Sequence, residues 1–313
     1  MTVTSRTTLP DRLERSMPST PAAGYAMTAK AAASADDAVC IDLEDSVAPD
    51  QKAASRANVA RAFRELGFGH RTRIFRINAL DTPFAYRDLI EVVEAAGDRI
   101  DLVIVPKVDR PADVQFVDTL LTQIEAHKGF TNRISIEAQI ETALGCLNAD
   151  AIAAASPRLE ALVYGPGDFA ASVQMPLDAI GEADEHDRLY PGHRWHYVMQ
   201  RILIAARAHG KRCIDGPYAS FRDVEGFTRA CEVARALGYD GKWCIHPAQV
   251  EPANRVFSPA AEQVAWAQKV LDEYERAMRE GRGAIVVDGK MVDAASLRMA
   301  RHLVEKDRLV RAR

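Results

Sequence analysis

The chain has 313 residues, 48% of them hydrophobic, enough for one large core or for a domain with an appendage. A formal net charge of −4 sets up no basic field for nucleic acid, and no apolar run reaches the roughly 18 residues that a membrane span needs. The five cysteines form no CxxC pair, and Cys40, Cys213 and Cys244 lie in apolar runs, so reduced, buried thiols in a cytoplasmic protein are expected.

In chain order, the stretch from Met1 to Leu9 is rich in Thr and Ser and lacks an apolar h-region, and it reads as a loose tail rather than a targeting segment. Strand-like apolar runs follow at Leu13–Pro18, Ala38–Leu43, Arg73–Asn78, Leu102–Val108, Ile134–Glu141, Ala161–Tyr164, Arg212–Gly216 and Lys242–His246. Between them, Gln51–Leu66, Ala112–Glu125, Trp195–His209 and Asp223–Leu237 carry apolar residues three and four apart on an Ala-, Leu-, Arg- and Glu-rich background, the pattern of helices. Eight alternations of strand and helix predict an α/β protein of the (β/α)8 TIM-barrel class. A doubly wound open sheet competes, but no GxGxxG follows the first strand. The barrel is expected to occupy residues 1–255. Residues 256–313 then form a helical extension, a lid or an exchange arm between subunits. Within it the Asp288-Gly289 pair predicts a tight hairpin turn. The polar stretch Pro176–Arg194, with Gly181, Pro191 and Gly192, reads as a long loop at the barrel mouth.

In a parallel barrel the C-terminal strand ends converge on one mouth. Seven of the runs end there in charged or polar groups: Asp42-Leu43-Glu44-Asp45, Arg76-Ile77-Asn78, Pro106-Lys107-Val108, Glu141, Asp168 after Gly165-Pro166-Gly167, Asp215-Gly216-Pro217 and His246-Pro247. Glu141 and Asp168 close consecutive runs, and two adjacent carboxylates do not both stay charged without a cation. That predicts a hard divalent metal, Mg²⁺, with Mn²⁺ as candidate substitute, held by oxygen ligands and water. Duller readings stand beside these. Arg76 would pair with Asp42, Glu44 or Asp45; Lys107 would pair with an acidic neighbour or act directly in catalysis. Asp215 would cap its loop, and His246 would be a hydrogen-bonded structural histidine.

The text Asp42-Leu43-Glu44-Asp45-Ser46-Val47-Ala48-Pro49, with Arg76-Ile77-Asn78-Ala79-Leu80-Asp81-Thr82-Pro83 and the stretch from Gly238 to Gln249, resembles the CitE-like, or HpcH/HpaI aldolase, superfamily. Details at Ala95–Asp101, Trp195-His196-Tyr197, Asp215-Gly216-Pro217 and Gly289–Asp293 resemble its malyl-CoA lyases, including those that cleave β-methylmalyl-CoA. The resemblance spans residues 30–300. It implies a Mg²⁺-dependent carbon–carbon lyase splitting malyl-CoA, β-methylmalyl-CoA or citramalyl-CoA into an acyl-CoA and glyoxylate or pyruvate by a Claisen-type reaction. It implies metal ligands at Glu141 and Asp168 and catalytic candidates at Arg76, Asp293, Glu44 and Asp45. Substrate or CoA contacts are implied at Arg15, Lys30, Arg76, Gly167 and Asp168, and assembly as a homotrimer or homohexamer, with Asp293 supplied by a neighbouring subunit. As the base, Asp293 would need lid closure to raise its pKa. Alternatives within the same site are a malyl-CoA thioesterase or malate synthase-like activity, and a citrate lyase β-type subunit of a larger complex.

One segment departs from the family. Arg15-Ser16 matches, but Pro21-Ala22-Ala23 replaces a glycine-bearing turn, and alanine lets backbone approach a ligand less closely. The loop Pro176–Arg194 also looks shorter than in the malyl-CoA lyases.

Overall fold

Among the described residues of the computed structural model (12–190, 193–281 and 283–313), eight parallel strands close on themselves in chain order. The stretch from Met1 to Leu9, like Pro191 and Gly192, lies outside the described residues. The strands are β1 (Ser16–Pro21), β2 (Ala38–Asp42), β3 (Thr72–Arg76), β4 (Leu102–Val105), β5 (Ser135–Ile140), β6 (Leu159–Tyr164), β7 (Arg212–Asp215) and β8 (Gly241–Cys244), and β1 pairs with β8 to seal the ring. This is the (β/α)8 barrel that the alternation predicts. Its strands are buried on both faces, so they read as continuous apolar runs such as Leu102-Val103-Ile104-Val105. Met17, Ile74, Ile104, Val163, Ile214 and Trp243 fill the core cluster.

The helices start where the sequence supplies caps. Pro111 opens one helix, and Asp113 accepts from the Asp109 and Arg110 N–H groups. The Thr142 and Asp223 side chains accept from Gly145 and Gly226 N–H at the starts of two others. All five cysteines are buried, and burial pushes the Cys231 thiol up to about 12, so these thiols act as small hydrophobes. Among the described residues no helix is long and apolar enough to cross a membrane.

The first strand corrects the sequence reading. It starts at Ser16 rather than Leu13 and runs through Pro18, which had marked its end. Arg15 therefore precedes the strand, at the N-terminal floor of the barrel. Its backbone N–H and Nε donate to Asp37 Oδ2 (2.9 and 2.7 Å) and its Nη2 to Oδ1 (2.8 Å). A residue at the floor, engaged by Asp37, is not positioned for the expected contact with CoA at the mouth.

The floor also holds Arg212, paired with Glu14 (3.3 Å), Glu137 (3.2 Å) and Glu160 (3.1 Å), all buried. Burial first, and then the Glu137 charge, raises the Glu14 carboxyl well above its usual range; burial raises Glu137 as well. The contribution of a carboxyl raised on folding is fully present below the ordinary carboxylate range. It is lost as pH climbs through the raised value. Glu14→Gln, which mimics the protonated form, should therefore match the wild-type melting temperature near pH 4 and exceed it by about 2–4 °C at pH 9, read by thermal melts. Equal pH slopes for the two proteins would refute the raised Glu14 carboxyl.

Contacts divide the chain into two units, Glu14–Arg255 and, with residues 12 and 13, Val256–Arg313. In the second unit the helices Ala261–Arg279 and Ala294–Arg311 pack on each other through a core that includes Val270, Tyr274 and Ala300. Between them in sequence lies the antiparallel hairpin β9 (Ile285–Val287) and β10 (Lys290–Val292). Asp288 (φ 48°) and Gly289 (φ 75°) make its two-residue turn, as the pair predicts.

Candidate active site

β2 and β3 pair so that Asp42 and Arg76, the last residue of each, lie side by side. Arg76 Nε and Nη2 donate to Asp42 Oδ1 (2.7 Å) and Oδ2 (2.8 Å), and its Nη1 lies 2.7 Å from Glu44 Oε2. The indole of Trp243 lies 5.0 Å beneath the guanidinium. Burial alone would lower the Arg76 pKa, but the Asp42 and Glu44 charges more than offset it, so the group stays cationic. Burial would likewise raise Asp42; the Arg76 charge and hydrogen bonds reverse this and hold its carboxyl below the usual range. The loop after β2 is fixed from behind. Buried Lys52 donates to the Leu43 and Glu44 carbonyls (2.8 and 2.7 Å).

Glu141 directly follows β5 and is 1% exposed. Its Oε1 accepts from the Lys107 N–H (2.9 Å) and its Oε2 from Gln139 Nε2 (2.6 Å). Burial, then the charges of Glu44 and Asp168, push its carboxyl up to about 8. Asp168 stands in the first turn of the helix Pro166–Ser172, open to the mouth, with Lys107 Nζ 3.6 Å from its Oδ2. The same ammonium is bonded to Glu44 and lies 3.7 Å from Asp45. Gly165 makes the close approach of β5 and β6 possible: a Cβ there would overlap Glu141 Oε2 and stand 2.5 Å from Glu141 Cβ.

The mouth thus gathers Glu44, Asp45, Arg76, Glu141 and Asp168, with Gly167 beside them packed against Ile180. Lys30 is exposed on the helix Tyr25–Ala32. Asp293 belongs to the second unit, where it caps the helix Ala294–Arg311 and accepts from the Ala295 (2.9 Å) and Ser296 (3.0 Å) N–H groups. Those N–H groups hold its carboxyl below the usual range, the opposite of the rise expected for a base. Asp215 forms a buried pair with Lys242 and accepts from the Gly216 N–H, and His246 accepts from the Ala248 N–H and stacks on Phe221.

Gln139 and Lys52 escaped notice in the sequence. The signal for Gln139 was the alternation Glu137, Gln139, Glu141, which sets three polar side chains on one face of β5. The divergent turn after β1 needs no glycine. Ala22 and Ala23 keep negative φ, and the Ala22 N–H bonds to the Asp42 carbonyl (2.9 Å). The loop after β6 contains a short helix, Glu185–Leu189, and its own clasp: Arg194 donates to Asp184 (2.8 Å), Asp187 (3.0 Å) and the Pro176 carbonyl (2.9 Å).

The donor set fits a hard cation. Each Glu141 oxygen has one hydrogen bond and keeps a lone pair, and Asp168 presents oxygens to solvent. A cation would keep buried Glu141 ionised at neutral pH. The two candidate donors are carboxylate oxygens, the donor type of Mg²⁺ rather than of Zn²⁺, and water and substrate would complete the shell.

A family model, HpcH/HpaI aldolase/citrate lyase, matches residues 15–247, the barrel that carries these groups. The chain belongs to that family. It is 44% identical over 298 residues to an L-malyl-CoA/beta-methylmalyl-CoA lyase of Cereibacter sphaeroides (strain ATCC 17025 / ATH 2.4.3), covering 93% of this chain and 94% of that protein. It is 38% identical over 283 residues to a (3S)-malyl-CoA thioesterase of Cereibacter sphaeroides (strain ATCC 17029 / ATH 2.4.9), covering 90% of each. Among solved structures it is similar to the protein CitE from Mycobacterium tuberculosis in complex with magnesium, acetoacetate and coenzyme A. The TM-score is 0.73 at 30% identity, covering 96% of this chain and 99% of that one. An aldolase/citrate lyase family member with an anionic pair and a braced arginine at one mouth has the parts for carbon–carbon bond cleavage.

Proposed function

We propose that the chain is a Mg²⁺-dependent carbon–carbon lyase that splits malyl-CoA, with β-methylmalyl-CoA and citramalyl-CoA as further substrates, into an acyl-CoA and glyoxylate or pyruvate. The observation that carries this is that Lys107 touches both carboxylates, its N–H on Glu141 and its ammonium 3.6 Å from Asp168, with lone pairs on Glu141 to spare, beside the Arg76 guanidinium braced by Asp42 and Glu44. The likeness to a malyl-CoA/beta-methylmalyl-CoA lyase supports the substrate class.

Glu141 and Asp168 would hold the ion, Mg²⁺ with Mn²⁺ as substitute, which when bound supplies Lewis acidity toward the carboxylate and carbonyl of the 2-oxo acid. In the condensation direction the acyl-CoA loses an α-proton and negative charge gathers on the thioester oxygen. Arg76, with Asp42 and Glu44 fixing its plane, offers its remaining N–H donors to that charge. Glu44 and Asp45 keep the rim anionic and hold Lys107 beside it. Lys30 and Gly167 are the proposed contacts for CoA and substrate. Asp293, supplied by a neighbouring subunit of a trimer or hexamer, takes the α-proton in condensation and returns it in cleavage. Its helix-capping position keeps it ionised, so the proton it accepts comes from a carbon acid made stronger by Arg76.

The thioesterase likeness favours one alternative, attack of water on the thioester to give malate and free CoA. Incubation of purified chain with malyl-CoA separates the two: glyoxylate and acetyl-CoA support the lyase, and malate with free CoA supports hydrolysis. Turnover of free CoA esters also argues against a subunit role in a citrate lyase complex. In the same assay Asp168→Ala should lose Mg²⁺ binding and turnover together, and Asp293→Ala should keep Mg²⁺ binding while losing turnover. Turnover that survives EDTA would overturn the metal assignment.

A further inference from the structure

Lys107 follows β4 with φ at +50°, a conformation that L-residues other than Asn and Asp rarely take. That twist sends its two polar ends in different directions. Its N–H goes to Glu141 Oε1 (2.9 Å), and its ammonium goes to Glu44, to within 3.6 Å of Asp168 Oδ2 and 3.7 Å of Asp45. The neutral donor therefore serves one proposed ligand, and the positive charge stands beside the other. We infer that Lys107 is a positioning residue that tunes the metal affinity of the mouth downward. Its backbone holds Glu141 in place, while its ammonium neutralises Glu44 and Asp168 when no ion is bound and opposes a divalent ion that arrives at Asp168. This rests on reading Glu141 and Asp168 as the metal pair.

The sign of the effect separates this role from a purely structural one. Removing a residue that merely supports metal ligands lowers affinity about 10–100-fold. Removing a like charge next to the ion raises it, since the repulsion acts over a few ångströms in a site of reduced dielectric. Lys107→Met removes the charge and keeps the backbone N–H and the length of the side chain. The side chain is 28% exposed, so methionine has room.

The test is calorimetric titration with Mg²⁺ alone, together with thermal melts in EDTA and in Mg²⁺. Lys107→Met should bind Mg²⁺ about tenfold more tightly than wild type, a coupling of ordinary size. It should also melt lower in EDTA and gain more from Mg²⁺, and Lys107→Arg should behave as wild type. Lys107→Gln, which keeps a donor for Glu44, carries the same expectation as methionine and covers the case in which methionine does not fold. Unchanged or weaker Mg²⁺ binding in the folded neutral variant would overturn the role of Lys107. Failure of wild type itself to bind Mg²⁺ would instead overturn the metal pair.

Discussion

Arg76→Lys should lower kcat about 10²–10³-fold while leaving Mg²⁺ binding in place. The guanidinium uses two donors on Asp42 and a third arm toward Glu44, and only a planar fork does this while leaving N–H groups for a substrate oxygen. A lysine ammonium reaches one carboxylate at a time, so the charge at the mouth survives but its direction does not. Lysine is the informative replacement because Asp42 is buried: a neutral side chain would strand its carboxylate at a cost of about 3–5 kcal/mol and confound rate with folding. The measurement is kcat at saturating malyl-CoA with a melt on the same preparation. A near-normal rate in a folded variant would remove Arg76 from the chemistry.

Gly165→Ala is expected to be nearly as severe, by a different route. Its φ of −111° is open to any residue, so conformational freedom is not the reason for glycine here. The reason is space, since a methyl group would overlap the Glu141 carboxylate and crowd its Cβ, which cannot swing aside as the tip of a flexible chain does. Glu141 would be pushed off the Lys107 N–H and Gln139 Nε2. An ångström of misplacement at such a site costs on the order of 10²-fold in rate. Overpacking adds about 1–3 kcal/mol of destabilisation. Mg²⁺ affinity and kcat should fall together, whereas Gly167→Ala, whose Cβ meets the Ile180 side chain at 2.9 Å, should keep the fold and the Mg²⁺ affinity and show its effect in KM. Normal Mg²⁺ titration of Gly165→Ala would show that Glu141 is not the sensitive ligand.

The barrel was legible because parallel strands buried on both faces leave continuous apolar text, and the site was legible because that topology brings their ends to one mouth. Asp42, Arg76, Glu141 and Asp168 followed from those two facts. What stayed hidden depends on register and direction. The first strand begins at Ser16 rather than Leu13 and runs on through Pro18, while the CoA contact expected of Arg15 came from the resemblance and not from the strand text. Gln139 looked like an interruption of an apolar run until the alternation of β5 turned it inward beside Glu141. The tuning of Asp293 is set by two backbone N–H groups at a helix start, a contact whose electrostatic consequence no residue type announces. The left-handed twist of Lys107 has no sequence mark at all, since lysine is an unusual choice for it.

The loop between β6 and β7 holds its own shape through the Arg194 clasp on Asp184, Asp187 and the Pro176 carbonyl. A segment that is tied to itself travels as a cassette. Grafted between relatives together with Ala219, whose N–H bonds the Ile180 carbonyl, it should carry its geometry along, and the substrate preference of the chimaera would read whether this loop selects the acyl group.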